Sequence, residues 1–102
     1  MPADQQLAVA HRLSEDILSA ARLGDMFVLS QLDGQRRELV ESFRRRVPRV
    51  DPDDQRLLDE IAVLNDRTIG TIEHMRRAKA REMDMVVVGR RALTAYASTS
   101  SR

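Results

Sequence analysis

The chain has 102 residues and a formal net charge of +1, with 42% hydrophobic residues, 32% charged residues and no cysteine. This is the length of one domain with a modest core, and the composition argues against a disordered chain. The lack of cysteine excludes disulfides, thiolate metal sites and cysteine nucleophiles.

Two helices joined by a short turn are predicted in the first half of the chain. The first covers about 3–23, where apolar residues follow a helical repeat, and Gly24 supplies a C-terminal stop. Asp25 is a good N-cap for a second helix over about 26–45. We predict that this helix continues through Gly34, because its apolar face keeps phase there and a helical glycine costs only ~1 kcal/mol. The short connection implies an antiparallel helical hairpin.

A proline-containing loop precedes a long third helix. Pro52 follows Asp51 and precedes two further aspartates, which is the pattern of an N-cap, an N1 proline and acids in the first turn. Residues on one face of this helix are then mostly apolar and keep helical phase as far as Val87, so we predict a helix over about 52–88. The residues of this face are Leu57, Leu58, Ile61, Leu64, Thr68, Ile69, Ile72, Met75, Met83, Val86 and Val87.

The stretch MDMVVVGRRALTAYAS, residues 83–98, contains three consecutive valines and therefore raises the question of a strand. A lone short strand in a helical chain would have nothing to pair with, and the helical phase carries into this stretch. We therefore predict that the third helix stops at Gly89, which would serve as a hinge. A short last helix is predicted over about 90–98.

The predicted helices differ in length. At ~1.5 Å per residue, the first two are roughly 30 Å long and the third is roughly 54 Å long. If the third helix runs back along the second, its cover ends near Met75, and we expect its last third to expose apolar side chains. Soluble proteins do not usually leave such a patch without a use. The last helix, a second copy of the chain or a client protein would cover it.

Residues that could carry chemistry are few. His11 and Glu15 are four apart on the first helix, a spacing that suits two metal ligands, but no third ligand follows at a suitable spacing. The three aspartates at 51–54 lack the spacing and the glycine of a calcium loop and are better explained as a helix start. No phosphate-binding glycine loop is present. We therefore expect no catalytic residues, metal site or cofactor.

Basic residues occur in two blocks, 36–49 and 76–102, which alternate with the acidic blocks 1–35 and 50–75. Such blocks favour antiparallel helices whose flanks attract each other. Nucleic-acid binding is the other interpretation, but the net charge is close to zero and aromatic residues for stacking are scarce. The N-terminal residues do not resemble a secretory signal and no apolar run reaches the ~18 residues of a membrane span. We expect a cytoplasmic protein without nucleic-acid or membrane partners.

Three features in sequence order carry a resemblance to a known family. Asp25 and Phe27 open the second helix, the pair Asp66-Arg67 lies in the long helix, and the segment GRRALTAY follows that helix over residues 89–96. Together they resemble the flagellar export chaperones of the FliT family, over roughly 7–97. Two departures are that Phe27 stands where many relatives have Trp, and that six residues follow Tyr96.

The resemblance implies a small, non-enzymatic, all-helical bacterial protein of the cytoplasm. Such chaperones hold the filament-cap protein FliD before export, through the C-terminal part of that client. Some members also contact the export ATPase and the flagellar master transcriptional regulator. In the family the C-terminal helix and its tyrosine influence partner binding, and Tyr96 is the matching position here.

Residue pattern and resemblance together predict an all-α fold in one domain over 1–102: an antiparallel helical hairpin packed on a long third helix, with a short C-terminal helix. The expected function is that of an export chaperone that receives an amphipathic client helix. The alternative is a regulatory or adaptor protein that forms a homodimer over the same surface. The residues predicted to bind the client are Ile69, Ile72, Met75, Met83, Val86 and Val87, with Leu93 and Tyr96 as a movable cover.

Overall fold

The computed structural model describes the backbone of residues 1–100 and the side chains of residues 1–94. Within that part of the chain the regular structure is three α-helices and no strand: α1 (Ala3–Leu23), α2 (Met26–Arg46) and α3 (Pro52–Ser100). The prediction of an all-helical protein is therefore confirmed. The chain divides into two compact units, Met1–Ile72 and Glu73–Arg102, which are described separately below.

The turn between α1 and α2 has the local chemistry that its sequence predicts. Gly24 has a left-handed backbone with φ of 73°, a conformation that costs glycine little because it has no Cβ. Its N–H donates to the Ala21 carbonyl, and the Asp25 N–H donates to the Ala20 carbonyl, which satisfies the last turn of α1. The Asp25 carboxylate then accepts from the Val28 N–H at 3.1 Å and caps α2.

The start of α3 is capped in the same way. Asp51 Oδ1 accepts a 2.8 Å hydrogen bond from the Asp54 N–H, and Pro52 is the first helical residue. Proline is favoured there because its missing N–H would have had no intrahelical partner. The start of α3 is thus determined locally, by the same residues that indicate a helix start in the sequence.

The core of the first unit is aliphatic with one aromatic ring at its centre. Leu7 and Ala10 of α1, Phe43 of α2 and Ile61 of α3 form a buried cluster. Phe43 is fully buried, and burial of a side chain of this size contributes about 2–3 kcal/mol. Along α1 the buried face continues through Ile17, Leu18, Ala20 and Ala21.

Side-chain contacts join the three helices of this unit. Gln6 near the start of α1 donates to Ser42 near the end of α2 at 2.8 Å, and α1 and α2 pack together along their length. His11 of α1 contacts Glu60 of α3 at 3.0 Å. The buried Gln6 Oε1 has no hydrogen-bond partner, so this contact between α1 and α2 satisfies only one end of the amide.

Gly89 does not end α3, and the prediction of a separate short helix over 90–98 is wrong. The helix is continuous from Pro52 to Ser100. A glycine stops a helix by taking a left-handed backbone, and among the residues with described backbone only Gly24 has a positive φ. Arg90, Arg91 and Leu93 are good helix formers, and they offset the ~1 kcal/mol that a helical glycine costs. No helix in the described part of the chain is long and apolar enough to cross a membrane.

Candidate functional site

The second unit, Glu73–Arg102, exposes apolar side chains on its helix. Met83 is 62% exposed and Leu93 is 70% exposed, and both Val86 and Val87 are exposed as well. At 100° per residue these four positions lie on one face of α3, around Arg90. We call Met83, Val86, Val87 and Leu93 the apolar stripe. Such a stripe suits contact with another apolar helix surface.

The residues predicted to bind a client are divided between the two units. Ile69 and Ile72 belong to the first unit, where both line a groove between α2 and α3. Met75 is half-buried in the second unit, and the four residues of the apolar stripe lie further along its helix. Tyr96, the predicted cover residue, lies outside the described side chains.

The groove in the first unit has a volume of about 490 Å³. We call it the α2–α3 groove. It begins near Leu29 and ends near Arg44 on α2, and on α3 it runs from Leu58 to Ile72. Its apolar lining comes from Leu29, Val40, Leu58, Ile61, Ala62, Ile69 and Ile72, together with Ile17 of α1.

Three arginines of α2 lie in or beside this groove. Arg36 is buried, and its guanidinium donates to Asp33 at 2.6 Å and to Asn65 of α3 at 3.1 Å. Arg37 also contacts Asp33, at 3.0 Å, but is largely exposed. Arg44, two turns further along, is exposed. The carboxylate of Asp33 neutralises part of this charge. Three arginines against one aspartate leave a net positive charge along the α2 edge of the groove.

Sequence reasoning missed this positive edge. The charge blocks of the sequence predict that the arginines of 36–49 lie on a helix flank that attracts acidic neighbours, whereas the structure places three of them with Val40 on the face of α2 that lines the groove. The available signal was their spacing: Arg37, Val40 and Arg44 recur at three and four residues, which puts them on one helical face. What the spacing could not indicate is that α3 lies opposite.

His11 lies between two carboxylates rather than in a metal-binding arrangement. Its Nδ1 is 3.1 Å from Glu15 Oε1, and its Nε2 is 3.0 Å from Glu60 Oε2. Because the two ring nitrogens point in different directions, the two carboxylates cannot converge on one ion. No group of three or more metal-ligating residues occurs among the described residues. The geometry suits an ion pair between α1 and α3, beside a cavity of about 430 Å³ that Val63 and Leu64 also line.

The aspartates at the start of α3 serve the helix. Asp51 caps it, and partial burial raises the pKa of Asp54, with the negative charges of Asp51, Asp4 and Asp53 raising it further. Asp51 and Asp53 are exposed, so helix capping explains the cluster.

Comparisons of the chain with protein-family models, with curated proteins and with solved structures find no match in any of the three. The surfaces described above therefore carry the functional argument: the apolar stripe of the second unit, and the α2–α3 groove of the first.

Proposed function

We propose that this chain is a client-binding chaperone of flagellar export, of the FliT type, which holds the filament-cap protein FliD in the cytoplasm before secretion. The observation that carries this proposal is the apolar stripe, with Met83, Val86, Val87 and Leu93 exposed on one face of a helix. A chaperone that binds an amphipathic client helix requires such a surface and requires no catalytic residues.

The fold that supports this proposal is an antiparallel hairpin of α1 and α2 with α3 beside it. Gln6 of α1 meets Ser42 of α2, and Ser14 meets Arg36, so residue numbers fall on α2 as they rise on α1. That order of contacts is the one an antiparallel pair produces. A rigid hairpin of this kind would anchor α3, whose later part carries the client surface.

The direct test is a pull-down of purified FliD by the full chain, with two matched variants. Val86→Asp places a charge on the apolar stripe, and Val88→Asp places the same charge two residues away, about 200° around the helix. Both valines are exposed, at 52% and 64%, so neither change removes a core contact. We expect Val86→Asp to weaken FliD binding on the order of tenfold and Val88→Asp to change it less than about twofold.

Equal binding by the two variants, with unchanged helix content, would show that the stripe does not bind FliD. If the wild-type chain retains no FliD at all, the chaperone proposal itself is wrong. Met83→Asp repeats the test at a second position of the stripe and should behave like Val86→Asp.

The same stripe is compatible with the alternative of a homodimerising adaptor protein. Sedimentation of the wild-type chain at micromolar concentration separates the two functions. A monomer supports the chaperone, whereas a dimer that Val86→Asp dissociates and Val88→Asp does not would assign the stripe to a second copy. An export ATPase and a flagellar transcriptional regulator remain proposed further partners, to be tested by the same pull-down.

A further inference from the structure

We propose that the α2–α3 groove is a docking surface for an amphipathic helix of a partner protein, one that carries acidic residues beside an aliphatic face. The groove lies within the first unit and needs none of the four residues of the apolar stripe. Ile69 and Ile72, which the sequence predicts as client-binding residues, line this groove, and the inference assigns these two residues to a second interaction surface instead.

The dimensions of the groove fit a helix. Its lining extends over 16 residues of α2, from Leu29 to Arg44, and over 15 residues of α3, from Leu58 to Ile72. At ~1.5 Å per residue both walls are roughly 20 Å long. An occupant helix of about four turns would match that length. Aliphatic side chains occur along the α3 wall, from Leu58 to Ile72, whereas the α2 wall is aliphatic only at Leu29 and Val40. An apolar face of the occupant would therefore contact mainly α3.

The charges at the edge of the groove indicate the sign of the partner. Arg37 and Arg44 lie seven residues apart on α2 and are both exposed, while Asp33 is already in contact with Arg36 and Arg37. Seven residues are close to two helical turns, about 10 Å. An occupant helix with two carboxylates seven residues apart could therefore face both arginines. Complementary charge of this kind orients a helix and raises its association rate.

Charge also argues against a second copy of this chain as the occupant. Its exposed helix over 73–94 carries six basic residues and three acidic ones, so it would meet the arginines of the groove with like charge. The acidic stretches of the chain, in α1 and at the start of α3, have their apolar residues buried in the core of the first unit. The occupant that fits is thus a different, acidic helix.

The test uses the full chain and two designed peptides in fluorescence anisotropy at low ionic strength. Both peptides are amphipathic helices of about four turns with leucines on one face; one has glutamates seven residues apart beside that face and the other has lysines there. We expect wild-type protein to bind the glutamate peptide more tightly, and added salt to reduce the difference.

Two matched variants locate the binding. Arg44 lines the groove, whereas the neighbouring Arg45 does not, and both are exposed on α2. We expect Arg44→Glu to weaken binding of the glutamate peptide by about fivefold and to favour the lysine peptide instead, because attraction is replaced by repulsion. Arg45→Glu should change either affinity less than about twofold. A reversed preference in Arg44→Glu would also show that the variant is folded.

Several results would overturn the proposal. They are the lack of saturable binding of either peptide to wild-type protein, equal affinity for the two peptides, and equal effects of Arg44→Glu and Arg45→Glu. Sedimentation in which Arg44→Glu alone dissociates a dimer would assign the groove to a second copy and would equally refute a foreign acidic helix. FliD binding is measured in a separate pull-down. A negative result with the peptides would therefore refute the groove proposal without deciding whether the apolar stripe binds FliD.

Discussion

His11 and Glu60 connect α1 to α3 through a 3.0 Å contact between the imidazole Nε2 and a carboxylate oxygen. The other ring nitrogen contacts Glu15 on the same helix as His11. A carboxylate only accepts hydrogen bonds, so the imidazolium form donates to both partners. The ring is half-buried, which screens these contacts less than full exposure would. One side chain thus ties together two helices that are separated by about fifty positions in the sequence.

A double-mutant cycle over His11→Ala and Glu60→Ala measures this contact. We expect a coupling energy of about 0.5 kcal/mol in the free energy of unfolding, within the range for partly exposed ion pairs. Urea denaturation of the four proteins provides the values. The cycle of Glu60→Ala with Arg12→Ala, an exposed residue of α1 that makes no ion pair with Glu60, is the control and should be additive. Additivity in the His11 cycle too would show that the pair contributes nothing.

Arg36 is expected to matter far more for stability than its neighbour Arg37. It is 8% exposed and donates to Asp33 of its own helix, to Ser14 of α1 at 3.4 Å and to Asn65 of α3 at 3.1 Å. Arg36→Ala removes the donor to Ser14 and Asn65 in a buried setting, although Asp33 keeps its contact with Arg37, and we expect a loss of about 2–4 kcal/mol. Arg37→Ala removes an exposed contact with the same Asp33 and should cost less than ~1 kcal/mol.

Chemical denaturation of the two arginine variants checks this difference. Both changes remove one guanidinium from α2 and one of the two arginine contacts of Asp33, so their comparison isolates the contacts to the other helices. If the two variants lose the same stability, the hydrogen bonds from α2 to α1 and α3 do not hold the first unit together.

Local chemistry made much of the fold predictable. The left-handed Gly24, the Asp25 cap and the Asp51 cap depend on neighbours within four residues, and such signals are present in the sequence itself. The prediction that the helix stops at Gly89 was wrong for a local reason as well, because a glycine permits a left-handed helix end without requiring one. Helix formers on both sides of it favour continuation.

The candidate sites were predictable only in part. Helical phase indicated that Met83, Val86 and Val87 share a face, and the structure shows that these side chains are exposed. The α2–α3 groove and the contact of Arg36 with Asn65 could not be predicted, because they depend on how far α3 is shifted along α2. Neither helix encodes that shift by itself; it follows from packing around Phe43 and Ile61.

Asp54 predicts a specific dependence of stability on pH. Partial burial raises its pKa, and the charges of Asp51, Asp4 and Asp53 add to the effect. A raised pKa in the folded state means that folding disfavours the ionised form. Its cost is therefore fully present above the folded pKa and disappears as the pH falls below the ordinary pKa of aspartate. We expect Asp54→Asn to be more stable than wild type at neutral pH and equally stable in acid.

Urea denaturation of Asp54→Asn at several pH values tests this expectation. Asp4→Asn is the companion variant: it removes one of the charges that raise the Asp54 pKa, from a different helix, and should lower that pKa in an NMR titration. The interpretation is wrong if Asp54→Asn is the less stable protein at neutral pH, since the favourable interaction of the carboxylate with the start of the helix would then dominate.

The glycines of the chain separate into two kinds, and alanine substitution should show it. Gly89 is helical, and a Cβ added there meets nothing within 4 Å; the same holds for Gly34 in α2. Alanine at either position should favour the helix by about 0.5–1 kcal/mol. For Gly34→Ala this should appear in the free energy of unfolding, and for Gly89→Ala as slower hydrogen exchange of the neighbouring amides.

Gly24→Ala is the opposing control, because its φ of 73° disfavours a Cβ, and it should lower stability by about 1 kcal/mol. Faster exchange around residue 89 in Gly89→Ala would contradict this expectation, because it would mean that a side chain at this position disturbs the helix.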